Sequence, residues 1–436
     1  MIFFHSIYIS LFSLFHFECT RVKNIPKKLF LFYLSVILLI LISAPLSGSS
    51  EKTKRAQKKP RIPPSVYSAD IKIGPFRLKP TFSIKNAGYD SNIFYSPHHP
   101  VADYTATPTA GLRSVLLLGN RGFLDFGGEL GWLWFARTTS QNYLNRYADA
   151  HLEFYLSRFT FYIEEGYAKA RRRFGYEIDI RTLHTVNSLN MGINYEPSHK
   201  TSLKFAYNQD LLRYDSQAIF RGYGLAEILN HMKNSFGLTY KQQILPKTAA
   251  LSEFSYVKYN FDNPTSDLNS TSYRALWGAE FDPSAFIQGT FKIGFAYLTF
   301  QPPDIKDYKG LAGSASLRFR FSDYTYFLVD FNQDTYFSYW AYYFISKLYG
   351  GTLGFYLSER IRIDVTGTVI NNFYQATEIW KEERRIDKLN LYRVNILYRL
   401  AESIGTGVGI SYLERTSDWG YEWDGFTIFS IVSYEF

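Results

Sequence analysis

Along most of this chain, apolar and polar residues take turns one by one. Across residues 361–369 the odd positions are Ile361, Ile363, Val365, Gly367 and Val369, and the even ones are Arg362, Asp364, Thr366 and Thr368. Leu203, Phe205 and Tyr207 oppose Lys204 and Asn208 in the same way. So do Phe291, Ile293, Phe295 and Tyr297 against Lys292, Leu317, Phe319 and Phe321 against Arg318 and Arg320, and Phe327, Val329 and Phe331 against Asp330 and Asn332. Successive side chains point to opposite faces of a strand, so each segment has one apolar and one polar face. From about Phe76 onward no long helical period interrupts this pattern.

A soluble β-sandwich also alternates, but its strands centre near ~5–6 residues. The segments here commonly run to about 12–15 residues, and their connections alternate in length. Short turns fall near residues 119–122, 157–158, 197–200, 245–247, 282–285, 322–323, 358–360 and 401–403. Longer polar loops fall near 89–106, 137–142, 173–180, 215–224, 262–268, 302–309, 375–386 and 418–424. Short turns on one side and longer loops on the other are the asymmetry of outer-membrane barrels. The expected fold is therefore all-β: a transmembrane, antiparallel, up-and-down barrel over residues 76–436, with about 18 strands and 16 as the alternative count. Residues 225–241 and 334–340 are the stretches that leave the count open. An even number puts both ends of the chain in the periplasm.

Composition agrees with this reading. The chain has 36 Tyr and 38 Phe but one Cys and three Met, as half-buried strands favour. A mean hydropathy of −0.18 is compatible with a membrane wall, because a barrel hides its apolar residues by alternation. The net charge of +9 looks like a nucleic-acid signal until it is located. Residues 1–61 hold ten Lys/Arg against Glu18 and Glu51; the remaining 38 basic and 37 acidic residues nearly cancel. No nucleic-acid partner is expected.

Residues 1–50 read as a signal-peptide region. Lys23, Lys27 and Lys28 precede an apolar run over residues 29–42, and small residues follow it. That run falls short of the ~20 residues a spanning helix needs. Cys19 lies before it, so a cleaved chain carries no thiol. The true start is expected near residue 22, because residues 1–21 are themselves partly apolar. Residues 51–75, basic and Pro-rich, read as a periplasmic linker.

Within the barrel, inward faces are expected to carry Lys204, Arg274, Glu280, Lys292, Arg318, Arg320, Asp330, Arg362, Asp364, Arg393 and Arg399. In hydrocarbon each charge would cost roughly 2–4 kcal/mol. Two readings use the same residues: a pore whose arginines favour anionic or polyhydroxylated solutes, and a lumen filled by cross-strand salt bridges. Trp132, Trp134, Tyr434 and Phe436 are expected in interfacial girdles. Arg171, Arg172 and Arg173 are placed at the outer rim, as contacts for lipid phosphate.

Sites for other chemistry are sparse. His98-His99 has no carboxylate or Cys close by to complete a metal site, and Asp262 and Asp267 match no calcium loop. His184 and Ser188 share a face but lie about 13 Å apart along a strand, too far for base and nucleophile. His151 and Glu153 share a face without a nearby Ser. No phosphate-binding loop, dinucleotide fingerprint or zinc motif occurs. No catalytic, cofactor or metal residue is assigned, and the protein is not expected to be an enzyme.

Residues Gly74-Pro75-Phe76-Arg77-Leu78-Lys79-Pro80 and Ala87-Gly88-Tyr89-Asp90-Ser91-Asn92-Ile93-Phe94 resemble the β-barrel porin family of exopolysaccharide operons. The resemblance covers about 20 residues, and otherwise only size, strand rhythm and the terminal Phe436 agree. It implies a porin-like protein of a Gram-negative outer membrane, linked to extracellular polysaccharide export or solute passage, with no catalytic residues to carry over. A plugged structural or adhesive barrel is the alternative, and a barrel-borne lipid-modifying enzyme a third. Expected partners are outer-membrane lipid or lipopolysaccharide, the barrel-assembly machinery, and polysaccharide or small solutes.

Overall fold

The computed structural model describes residues 71–435, apart from 174, 179, 265, 284, 303–304 and 376–384. The expected leader, the linker as far as residue 70, and Phe436 lie outside the described residues.

Eighteen antiparallel strands close into one barrel. In chain order they are β1 (Phe76–Asp90), β2 (Asp103–Leu117), β3 (Gly122–Phe135), β4 (Tyr143–Leu156), β5 (Phe159–Arg173) and β6 (Arg181–Ser198). Next come β7 (Thr201–Tyr214), β8 (His231–Leu245), β9 (Thr248–Phe261), β10 (Ser270–Phe281), β11 (Ile287–Phe300) and β12 (Tyr308–Arg320). The last six are β13 (Thr325–Phe337), β14 (Tyr343–Tyr356), β15 (Ile361–Tyr374), β16 (Ile386–Arg399), β17 (Ile404–Ser417) and β18 (Trp423–Glu435). Each strand pairs with its sequence neighbours, and β1 pairs with β18 to close the seam. The strands run from 12 to 18 residues, enough for a tilted strand, which needs ~9–11 residues to span a bilayer core.

The seam explains a glycine. A Cβ on Gly88 would sit 1.9 Å from the Ile428 carbonyl oxygen, so no other residue fits against β18 there. The register shifts beside it, between Ile84 and Ala87, with Asn86 at φ 52° in the left-handed region.

All eight short turns form where the sequence places them, and a ninth loop, residues 338–342, joins β13 to β14. It overlaps residues 334–340, which resist parsing because the connection carries Tyr339 and Trp340 in place of turn residues. The count is thus 18 and not 16. Residues 225–241 divide into a short helix (Leu225–Leu229) and the start of β8. One boundary moves: residues 71–75 are not free linker. Ile71–Ile73 pairs antiparallel with the first residues of β1, through a turn that holds Gly74 at φ 57°.

Outward faces are apolar and include Phe205, Phe236, Phe254, Phe295, Val408 and Ile410, each about half exposed. The first and last described strand ends lie on the turn side, and the loops occupy the opposite end of the barrel, termed the outer mouth.

Candidate functional site: the lumen and its outer mouth

The turn-end half of the lumen is a lattice of ion pairs. Lys292 Nζ lies 2.8 Å from Glu253 Oε2, and Lys241 pairs with Glu280. Lys204 sits over the Tyr162 ring at 4.7 Å and within electrostatic reach of Glu164. Lys204, Lys241, Lys292, Glu253 and Glu280, with Glu153 and Glu196, line a recess of about 630 Å³. Farther round, Lys85 donates to Glu129 at 2.7 Å, and Arg113 bridges Asp125 and Asp149. Alternation creates this pattern by sending every second residue inward, and the register between strands sets the partners.

The remaining residues expected in the lumen divide. Arg362 is buried in a fork with Asp364, whose Oδ1 also accepts from the Tyr326 hydroxyl at 2.7 Å. Arg318 lies over the Tyr326 ring at 4.3 Å. Asp330 accepts from Ser316 at 2.7 Å, and Arg274 pairs with Asp334 at 2.6 Å. Arg320 is half exposed at the turn-end rim, paired with Asp323 of the adjoining turn. Arg399 donates to the Glu359 carbonyl at 2.8 Å, also at the rim. The six arginines expected on inward faces therefore do not form one continuous row. Five are held by local partners, and Arg393 stands apart from them.

The outer mouth is built differently, from loops folded inward. The segment after Gly88 anchors the first loop. Asp90 accepts from the Asn92 amide at 2.9 Å. Asn92 is buried, donates to the Ser96 and Asp424 carbonyls, and accepts from the Ser96 amide. Ile93 is buried against Leu133 and Phe135. This framework presents Tyr95, a non-glycine residue at φ 59°. Its ring stacks on Trp423, with centroids 4.2 Å apart and planes at 4°, and Arg173 caps it at 3.4 Å. Such left-handed strain persists only where surrounding contacts fix it.

Two further anchors hold the mouth. Asp387 is buried and accepts from both Arg385 (2.8 Å) and Arg415 (2.6 Å), and Arg415 also donates to the Tyr176 carbonyl. Glu177, in the β5–β6 loop, accepts from the Ser338 hydroxyl at 2.6 Å and the Tyr339 amide at 3.3 Å. Burial pushes the Glu177 carboxyl above its ordinary range, outweighing these donors and the nearby Arg385 guanidinium. Between the anchors Ile178, Phe220, Leu225 and Leu229 form a buried cluster with Tyr339 and Trp340 packed on it. Arg221 lies over Trp340 and Tyr421. This mouth, carried by aromatics in loops, is what sequence reasoning missed. The dense Tyr and Trp of residues 339–340 and 419–423 was the signal for it.

On the outer wall, Trp132 and Trp134 are exposed at the loop end of β3. Tyr434 pairs with Phe82 and Ile404 at the turn end. The Arg171–Arg173 run differs from its expected role. Arg172 points inward to His184 Nε2 at 2.8 Å, because consecutive strand residues face opposite sides. Arg173 bends over the rim to Tyr95, the Asn92 carbonyl and Asp90. Arg171 donates to the Ser140 carbonyl at 2.6 Å and lies over Tyr143. His151 sits between Glu153 and Glu164, and Asp262 pairs with Arg213 at 2.5 Å. No group of three or more His, Cys, Asp or Glu that could hold a metal ion occurs among the described residues.

Residues 230–426 match the family described as "Putative beta-barrel porin 2". That stretch runs from just before β8 into β18, so residues 74–94, which carry the N-terminal resemblance, lie outside it. No curated protein matches the chain. Among solved structures the chain is similar to the FrpB iron transporter from Neisseria meningitidis, at 8% identity and a TM-score of 0.48, covering 81% of this chain and 63% of that one. It is similar to OccK3 (OpdO) from Pseudomonas aeruginosa, at 9% identity and 0.47, covering 82% and 95%. A bacterial polysaccharide outer membrane secretin is similar at 9% identity and 0.37, covering 83% and 98%. The chain thus spans less than two thirds of the FrpB chain's length.

Proposed function

We propose that this chain, a porin-like outer-membrane barrel whose residues 230–426 carry the beta-barrel porin 2 pattern, conducts hydrophilic solutes across a Gram-negative outer membrane. The observation that carries this is the contrast between its two faces. Apolar residues cover the outer wall, while ionised and hydroxyl side chains line the inner wall from the turn-end rim to the mouth. Charged groups lining a barrel of 18 strands support a water-filled path. Extracellular polysaccharide is the cargo class that the resemblance implies, and polyhydroxylated solutes suit a lumen rich in Asn, Ser, Thr and Tyr donors. Trp132 and Trp134 on the outer wall fit contact with outer-leaflet lipid or lipopolysaccharide. The last strand, with Tyr434 outward, fits the barrel-assembly machinery.

Planar-bilayer recording of the full chain, refolded in detergent, tests this reading. Discrete conductance steps are expected. A membrane that takes up folded barrels yet stays at its lipid baseline would overturn it. A second reading, a plugged structural barrel, is favoured by the loops packed across the mouth. It predicts silence in the native protein.

A further inference from the structure

We propose that Arg173, Arg181 and Arg393 form a binding site for an oxyanion, a carboxylate or phosphate group carried by a solute, at the inner side of the mouth. This rests on the channel reading for its purpose but not for its test. The guanidinium groups come from three strands. Arg173 ends β5 and Arg181 begins β6, opposite each other in register. Arg393 projects inward from the middle of β16. All three gather round the same ring. Arg173 covers Tyr95 at 3.4 Å, and Arg181 and Arg393 lie within electrostatic reach of it. Tyr176, 6.1 Å from Tyr95 between centroids, is within reach of both Arg173 and Arg393.

Charge at this place is unbalanced. The one carboxylate among these groups is Asp90, 3.6 Å from Arg173. Arg181 contacts the Ile93 carbonyl at a long 3.5 Å and the Phe135 ring at 5.0 Å, and its Nε has no hydrogen-bond partner. Arg393 makes no ion pair or hydrogen bond among the described residues, and its buried Nε is likewise unpartnered. Other buried arginines are matched by carboxylates: Arg362 by Asp364, Arg274 by Asp334, Arg385 and Arg415 by Asp387. Unmatched guanidinium groups held together are costly unless an anion joins them, and their planar forks pair two-pronged with carboxylate or phosphate. The strained Tyr95 backbone fits a ring fixed in place to shape such a site.

Two measurements test the proposal. The first is the reversal potential of the full chain in a bilayer under a KCl gradient. Anion preference is expected. Arg393→Gln and Arg181→Gln should reduce it, Arg393→Lys should retain most of it, and Arg320→Gln at the rim should leave it unchanged. If Arg393→Gln shifts it no more than Arg320→Gln does, the proposal is wrong. The second measurement needs no current. It is calorimetric titration of the folded barrel in detergent with glucuronate, glucose 1-phosphate and neutral glucose. At least one of the two anions should bind where glucose does not, the responding one reporting whether carboxylate or phosphate is preferred. Arg393→Gln should weaken that binding about tenfold or more, the size of one lost charge-assisted partner. A barrel that is electrically silent but binds in this way would refute the channel and uphold the site. Binding of neither anion, or binding indifferent to Arg393→Gln, would overturn the site.

Discussion

In the turn-end half of the lumen, cations meet carboxylates. Lys292 has Glu253, Lys241 has Glu280, and Arg113 has two aspartates. At the loop-end mouth, cations meet rings and backbone carbonyls as well as the buried Asp387. Arg173 covers Tyr95, Arg221 covers Trp340 and Tyr421, and Arg415 reaches the Tyr176 carbonyl. The difference follows from how each region is built. Strand register brings opposite charges side by side on a wet wall, where each pair is worth little and is easily exchanged. Loops that leave the sheet must find partners for a buried backbone, and aromatic–guanidinium packing does so while excluding water. One region is therefore suited to passing polar solutes, and the other to holding them back.

The sharpest way to break this comparison is at Asp387. Its carboxylate pairs with both Arg385 and Arg415, and all three side chains are buried. Asp387→Ala leaves two buried guanidinium groups without the carboxylate they share. A loss of ~3–5 kcal/mol is expected, since breaking a buried ionic network strands its remaining charges. The thermal midpoint of the folded barrel in detergent measures it. An unchanged midpoint would mean that the mouth is far wetter than its packing implies.

Glu177 comes next in size. Its folded carboxyl titrates above the ordinary 4.5 because burial outweighs its donors. The group's contribution to mouth packing is thus fully present below about pH 4.5 and is lost as pH rises through the folded value. Raising pH above the ordinary carboxylate range should loosen the loop and increase the open fraction of single channels. Ser338 and Tyr339 supply its donors, while Arg385 and Asp387 are its charged neighbours. Glu177→Gln should flatten the pH response. Glu177→Ala, which strands both donors, should cost ~1–3 kcal/mol and favour open states at every pH. A pH response in Glu177→Gln as large as in the native chain would assign it to another group.

The two regions also differ in how far sequence alone reveals them. Period-two alternation names the inward residues of a strand, so Lys204, Lys292, Arg362 and Asp364 can be placed from the chain itself. It does not name their partners. Glu253 lies 39 positions before Lys292, and only the register of β9, β10 and β11 brings them together. The mouth is harder, because loops have no period. Residues 338–342 escape as a loop since Tyr339 and Trp340 pack inward, where turn residues would have marked a connection. The Arg171–Arg173 run could have been resolved from the chain, because three successive strand residues cannot all face lipid. The 88–94 segment shows its reason only in three dimensions, where Gly88 admits the β18 backbone and Asn92 ties the first loop to Asp424.

The smallest expected effect belongs to the turn-end lattice, and it sharpens the comparison from the other side. Lys292 and Glu253 retain about a quarter of their side-chain exposure, so water and salt screen their attraction. A double-mutant cycle of Lys292→Ala and Glu253→Ala should give a coupling of only ~0.2–1 kcal/mol, falling as salt is raised. Each single change should shift ion selectivity toward the sign of the charge left behind's counter-ion: Lys292→Ala toward cations, Glu253→Ala toward anions. The double variant should return close to the native value. A coupling as large as that expected at Asp387 would show that the turn-end lumen is as dry as the mouth. The hydrated half of the path would then vanish, and with it the physical basis for solute passage through this end of the barrel.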